Sequence, residues 1–438
     1  MTNQDPIGRL DHPRDGLRSG IQISNQTKFA VVFVIVNLHL LRNLSLPLYL
    51  LFYAPVALHV SNQFVVAFVN RSQNVKVGPV FVWLTLAGLG LLTSLAVISP
   101  SGAFSGLSRF LFSVPILLAL YLYTDGLSDL KKHVHTYVVF FVIAAMTVPL
   151  QFFIGPVPWF ADASTRAGLD RYSSLLGSLT SIGISVGAYA VLTQAFSPSR
   201  RWILVLLIAL PAAVSLNKSA IANVALAALL LIYLNRASLS KLVLGLLGSV
   251  LLAGIAYSTL SSVQMRIDAV LISFGINHAG IANYDQSVSE SLWDRIFLLP
   301  IENFEVLSHL GSPFVYLIGG GFGMASTALV PLADSIAPMA HNQFAEIVTV
   351  FGILGAVLAF GMLLIVLIRL HRLYKATRSD VIGAVSVAFL LLLANSFFAN
   401  GTFYQPSAAS VLFLAIFVSG MSVGSFENPL ARQPPIRL

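Results

Sequence analysis

Two things are scarce in this sequence: it has no cysteine at all, and only 10% of its residues are charged. Without cysteine there is no disulfide framework and no thiolate metal site, which fits an oxidising compartment without requiring one. A soluble domain is about a quarter charged, so this little charge excludes a chain that stays in solution on its own. No Asp-x-Asp and no His-Glu-x-x-His occurs, so neither a metal-bound sugar nucleotide nor a zinc-peptidase site is expected. No internal repeat of fixed period and no appended soluble domain is evident. The short alternating segments of a membrane β-barrel are also missing.

What is abundant is apolar sequence, 57% of the 438 residues. Long apolar runs recur from residue 29 to residue 424, many near the roughly 20 residues that cross a bilayer. The expected fold is all-α: a polytopic integral membrane protein. The runs are drawn as twelve spans at 29–45, 46–69, 79–98, 108–123, 136–154, 175–196, 202–216, 218–234, 242–260, 343–368, 381–399 and 408–424, with a further pair within 296–330 making fourteen. A polar segment, 1–28, precedes them and a tail, 425–438, follows. With no small-residue cleavage site after it, the first span reads as an uncleaved anchor with the N-terminus in the cytoplasm.

The charges sort with this layout. Short basic stretches lie between the runs at 71–76, 131–135, 199–201, 235–241 and 369–378. Placed inside together with both termini, they gather 18 of the 25 Lys and Arg, for a net charge of +11 inside and −3 outside. That is the bias of cytoplasmic loops, so the basic balance reflects membrane topology and not nucleic-acid binding. The seven outward cations are Arg42, Arg109, Arg166, Arg171, Lys218, Arg266 and Arg295. Two large loops, 155–174 and roughly 261–342, face outside. In the second, 295–311 has apolar residues at helical spacing and reads equally as a helix on the membrane surface or as one packed within the loop.

Four arginines occupy those loops: Arg166, Arg171, Arg266 and Arg295. Singly, each reads as a surface ion pair, Arg166 with Asp170 at i+4, or Arg295 with Glu290 or Asp294. Together, beside a membrane, they suit an anionic ligand, because guanidinium forks bind phosphate oxygens in pairs; a lipid diphosphate is the candidate. The glycine cluster in YLIGGGFG (316–323) has no strand–turn–helix context, so it reads as a loop or broken helix needing left-handed φ and tight packing. His133 and His135, beside two lysines, read as a solvated cytoplasmic loop. HNQFAEIVTVFGILG (341–355) places His341 and Asn342 where the long outer loop enters a span. On a regular helix Gly352 lies about 20° from the His341 direction, with Gly355 near that face and Glu346 well off it. Small residues there would let a neighbour approach and wall the histidine into a cavity.

A polytopic chain with a long outer loop, GGGFG and then HNQFAEIVTVFGILG resembles the bacterial O-antigen polymerase and O-antigen ligase group, and RAGLDRYSSLLG in the first loop favours the polymerase branch (Wzy). The likeness spans most of the chain and reaches motif level over 290–355. It implies a GT-C-like helical architecture and a metal-independent glycosyltransferase in the inner membrane, without cofactor. The group's pattern is His-Asn, an aromatic two residues on, then Gly-x-x-Gly, met here by His341, Asn342, Phe344, Gly352 and Gly355. The leucine and the acid that often follow are replaced by Ala345 and Val350. Arg166 and Gly177 match the spacing of the group's outer loops. The resemblance implies undecaprenyl-diphosphate-linked oligosaccharide as donor and acceptor, His341 and Arg295 as catalytic residues, and Arg166, Arg171, Arg266, Asn342, Gly177 and Glu290 in substrate binding. The partners it implies are the lipid bilayer, a flippase and a chain-length regulator of the same pathway. Its alternatives are an O-antigen ligase with a lipid A–core acceptor, or a transporter of lipid-linked oligosaccharide, which would carry charges at mid-membrane.

Overall fold

The structure, a computed structural model, describes residues 23–70, 78–97, 100–160, 164–166, 169–215, 217–234, 297–308, 313–324, 342–399 and 401–421, with single positions at 254, 257–258, 264 and 268. These residues are helical nearly throughout. Five helices are long and apolar enough to cross a membrane, at Leu46–Val69, Gly78–Ala96, Ala103–Tyr123, Leu127–Gln151 and Gln343–Thr377, and four shorter apolar helices accompany them. That is the architecture of an all-α polytopic membrane protein. The span expected at 242–260 lies outside the described residues except for positions 254, 257 and 258.

The first span does not run to residue 45. Helix α1 (Asn25–Asn37), capped by Ser24 through the Thr27 N–H, ends in a turn at 38–40, and a short α2 (Leu41–Leu44) follows. Ser45 then caps α3 (Leu46–Val69), whose leading proline sits where no backbone donor is needed. Helix α4 (Gly78–Val97) matches expectation. The span expected at 108–123 falls within Ala103–Tyr123, which is interrupted at 112–113 between α5 (Pro100–Leu111) and α6 (Val114–Tyr123). Pro115, at the start of α6, has no N–H to continue the ladder from α5.

Helix α7 (Leu127–Ala145) begins well before the expected 136 and continues as α8 (Thr147–Ile154). The basic stretch 131–135 is therefore helix and not solvated loop. His133 is fully buried with Nε2 3.0 Å from the Tyr123 carbonyl, and His135 Nε2 lies 3.0 Å from the Ala195 carbonyl. Each ring meets the open carbonyl end of a neighbouring helix, while Lys131 and Lys132 remain exposed.

The segment 155–174 contains an antiparallel ribbon, β1 (Ser164–Arg166) with β2 (Leu169–Arg171). Its register pairs Arg166 with Leu169 and Thr165 with Asp170, so Arg166 and Asp170 are not one helical turn apart. Then come α9 (Leu179–Leu192), α10 (Pro198–Val214) and α11 (Lys218–Leu234). Within 296–330 stand α12 (Leu299–Ser308) and α13 (Phe314–Ile318). At 10 and 5 residues both are too short to cross a bilayer on their own, so among the described residues of this segment no helix of spanning length is present. The remaining helices are α14 (Gln343–Thr377), α15 (Asp380–Ser396) and α16 (Pro406–Gly420).

Every residue of α16 is buried, and the surrounding helices bond to it through polar groups. Tyr137 of α7 donates to the Ser410 carbonyl and Tyr189 of α9 to the Ser407 carbonyl, both at 3.0 Å, while Asn37 of α1 donates to Ser410 Oγ at 3.3 Å. In α9, Gly183 and Gly187 admit α11: Asn223 donates to the Gly183 carbonyl at 2.8 Å, and a Cβ on Gly187 would sit 2.9 Å from the Asn223 carbonyl oxygen. Small residues with interhelical hydrogen bonds are how helices associate where hydrophobic drive is absent. Ser185, within the string Gly183-Ile184-Ser185-Val186-Gly187, is buried mid-helix and donates to the Ser181 carbonyl, so this string is packing and not a nucleophile elbow.

Contacts divide the bundle into two ends. At one, Asn25 bonds Asp125, Lys28 lies over Tyr123, Arg201 bonds the Gln194 and Phe196 carbonyls, and Asp380 lies near Arg201. At the other, Asn43 bonds the Trp159 carbonyl, His39 meets Gly177, and Gln343 meets Gly401. The second end carries the ribbon and the start of α14.

Candidate functional site

The two glycine-bearing stretches are one structural unit. Helix α14 is broken at Gly352, whose φ of 66° and ψ of −172° belong to a region essentially reserved for glycine. The break leaves carbonyls of the first segment open, and the 319–321 loop fills them. Gly320 N–H donates to the Thr349 carbonyl and Gly321 N–H to the Val350 carbonyl, both at 2.9 Å. Buried backbone carbonyls are rarely left unpaired, so the loop and the break require one another. Approach is backbone on backbone: a Cβ on Gly319 would overlap the Val350 carbonyl, and one on Gly352 would overlap the Leu317 carbonyl and the Gly319 nitrogen. Phe322, fully buried, is seated against Gly90 of α4 and Gly106 of α5.

This replaces the expected regular helix. Across the break an eleven-residue helical angle carries no meaning, so Gly352 and residue 341 do not share a face by that argument. What Gly352 admits is the glycine loop. Glu346, expected off the important face, is fully buried, and the Gln343 amide donates to it at 3.3 Å. The amphipathic stretch resolves as a packed helix: Asn303 of α12, buried, donates to Thr349 Oγ1 at 3.0 Å.

At the head of α14, Asn342 acts as N-cap, its Oδ1 accepting from Phe344 N–H at 2.9 Å and Ala345 N–H at 3.2 Å. Such a cap satisfies donors the helix cannot. Gln343 Oε1 accepts from Gly401 N–H at 2.8 Å, and the Gly401 carbonyl accepts in turn from Tyr404 N–H and Gln405 N–H. The start of α14 is thereby tied to the segment leading into α16.

That segment walls a cavity of about 140 Å³, whose polar lining is His39, Arg42, Ser108, Arg109, Tyr404 and Gln405. Arg42 and Arg109 are close enough to repel one another. Burial, and after it the Arg42 charge, push the His39 imidazole down to about 4, so it is neutral near pH 7. Burial first, then Glu346, hold the Tyr404 phenol protonated. The Tyr404 hydroxyl is buried without a hydrogen-bond partner among the described residues. Gln405 Oε1 accepts from Ser181 Oγ at 2.8 Å, which leaves its NH2 as the group facing elsewhere. Phe110 stands between cavity and clasp, with ring centroids 6.1 Å from Tyr404, 5.5 Å from Phe322 and 5.7 Å from Phe351.

The chain matches no family model and no curated protein.

Of the residues expected in a site, Asn342 and Gly177 stand at the ribbon end. Gly177, at φ 114°, closes a turn with Ser174, and a Cβ on it would come 3.5 Å from His39 Nε2. Arg166 and Arg171 are placed by their backbone in β1 and β2. His341, Arg266, Glu290 and Arg295 lie outside the described residues. The cavity residues His39, Arg42, Arg109, Tyr404 and Gln405 were not expected. The available signal was that Arg42 and Arg109 fall inside the apolar runs drawn as spans 29–45 and 108–123, where a charge is unusual.

Proposed function

We propose that the protein is a metal-independent glycosyltransferase of the O-antigen polymerase type, joining undecaprenyl-diphosphate-linked repeat units at the periplasmic face of the inner membrane. The observation that carries this reading is the union of the two segments on which the resemblance rests. GGGFG and the helix that Asn342 opens are far apart in sequence but interlock backbone to backbone, at the end of the bundle that also bears the β1–β2 ribbon.

The reaction asks little more than placement and charge. A hydroxyl of the incoming unit attacks the anomeric carbon of the growing chain. Its proton passes to His341, acting as the general base. The bond from the anomeric carbon to the diphosphate oxygen breaks, and the carrier diphosphate departs with the electron pair, stabilised by guanidinium groups. Arg295, with Arg166, Arg171 and Arg266, is the expected outer-loop source of that charge.

The test is the surface glycan of a strain lacking the protein. Core capped by a single repeat unit is the expected phenotype, restored to a ladder by the parent gene and not by His341→Ala. Loss of all O-antigen would instead assign the chain to ligation.

A further inference from the structure

Helix α3 is the least embedded of the five helices of spanning length. Only 6% of its apolar window is buried, against 44% to 56% in the other four. One stripe along it is exposed at every position: Leu48, Phe52, Pro55, His59, Asn62 and Val66. The steps between them alternate four and three residues, the spacing that keeps one seam against a neighbouring helix. The stripe beside it, Tyr49, Tyr53, Val56 and Val60, packs inward. Tyr49 donates to the Ile35 carbonyl at 3.1 Å and Tyr53 to the Phe112 carbonyl at 2.8 Å. The inward stripe alone therefore anchors α3 to its own bundle, and the exposed one is left for something else.

A wholly apolar stripe would need only lipid, but this one carries two polar side chains near its middle. At 1.5 Å per residue, His59 lies about 2 Å and Asn62 about 7 Å along the axis from the midpoint of α3, well within a hydrocarbon core about 30 Å thick. Neither side chain has a hydrogen-bond partner among the described residues. Gln63, the next residue, turns aside to accept from the Tyr123 hydroxyl at 3.1 Å. Asn223 and Asn395, by contrast with the exposed pair, are buried and donate to the Gly183 and Ile184 carbonyls. Polar side chains within membrane helices are costly against lipid and as a rule meet a partner. Pro55, one turn before His59, adds a third group, because it lacks the N–H that would bond the Leu51 carbonyl.

We propose that this stripe of α3 is the interface at which two copies of the chain pair in the membrane, His59 of each bonding Asn62 of the other. A second copy is the occupant whose depth and chemistry both match. Two copies share one orientation in the bilayer, so a two-fold axis along the membrane normal brings each stripe against its equivalent at the same depth. An imidazole and a carboxamide each hold a donor and an acceptor. The pair is therefore self-complementary, and both bonds form together, as a two-fold interface requires. A helix with only apolar side chains would leave these groups unmet. The pairing asks nothing of the transfer reaction proposed above.

The experiment uses purified full-length protein in liposomes, where the absence of cysteine lets single cysteines report contact. Leu48→Cys, Phe52→Cys and Val66→Cys should form disulfide-linked dimers with copper phenanthroline, whereas the comparably exposed Leu50→Cys and Phe68→Cys should not. Energy transfer between fluorescently labelled copies, followed as lipid is added, then measures the affinity. His59→Leu and Asn62→Leu should each weaken dimerisation about threefold to thirtyfold, the range for one or two interhelical hydrogen bonds, and His59→Gln should recover part of the loss. Both side chains are exposed, so the leucine variants keep the fold, which an unchanged melting midpoint at high dilution checks. A parent that stays monomeric at every dilution leaves the stripe to another protein or to another part of this chain, and overturns the proposal. So do disulfides that form alike at stripe and control positions, which report collision, and a dimer that neither leucine variant weakens.

Discussion

Replacing Gly352 by alanine should be among the most damaging single-methyl changes in the protein. The backbone there holds φ 66° and ψ −172°, a conformation costing an L-residue about 1–3 kcal/mol. The new Cβ would also fall on the Leu317 carbonyl and on the Ile318 and Gly319 nitrogens. To relieve that overlap the 319–321 loop must withdraw, giving up the two hydrogen bonds from Gly320 and Gly321 at about 0.5–1.5 kcal/mol each. The sum is roughly 2–6 kcal/mol. At about 2 °C per kcal/mol, the scale for larger domains, the apparent midpoint of thermal unfolding in detergent should fall by roughly 4–12 °C at fixed scan rate. Gly361→Ala is the control. It lies on the same helix with nothing near its would-be Cβ, so alanine should leave the midpoint unchanged or raise it slightly through better helix propensity. If the two variants melt within a degree of each other, the clasp does not hold α14 as described.

Asn342→Ala removes the N-cap of α14 and should cost about 1 kcal/mol of stability, while Asn342→Asp, which keeps the accepting oxygen, should be close to neutral; thermal melts of the pair distinguish a capping role from a purely substrate-binding one. The chain has no cysteine, so single cysteines can be labelled without background. An impermeant maleimide applied to spheroplasts should label Thr165→Cys and leave Ser379→Cys protected, and the opposite pattern would reverse the orientation drawn from the charges.

Much of the membrane scaffold was legible because apolar runs are a local signal. The bounds of α3, α4 and α11 follow their hydrophobic stretches within a residue. Where neighbours decide, the local signal misleads. The histidines of 131–135 look solvated until the carbonyls of Tyr123 and Ala195 are seen to receive them. A break in the middle of an unbroken apolar run at 343–368 has no hydropathy signature. GGG and Gly-x-x-Gly each suggest close packing, but nothing local says that each packs on the other. The cavity was hidden for the same reason. Its arginines come from α2 and α5 and its aromatic wall from the segment before α16, so only the long-range fold assembles it. Both arginines fall within runs drawn as spans, 29–45 and 108–123.

The central claim is tested most directly by purified protein reconstituted into liposomes and supplied with undecaprenyl-diphosphate-linked repeat units as donor and acceptor. The account predicts carrier-linked glycans of two and more repeats with release of carrier diphosphate. It also predicts a rate about 10²–10⁴-fold lower for His341→Ala, as for loss of a general base, at unchanged thermal stability. Repeat units that remain unjoined in the presence of well-folded parent protein, or a His341→Ala variant that joins them within a few-fold of the parent rate, would contradict it.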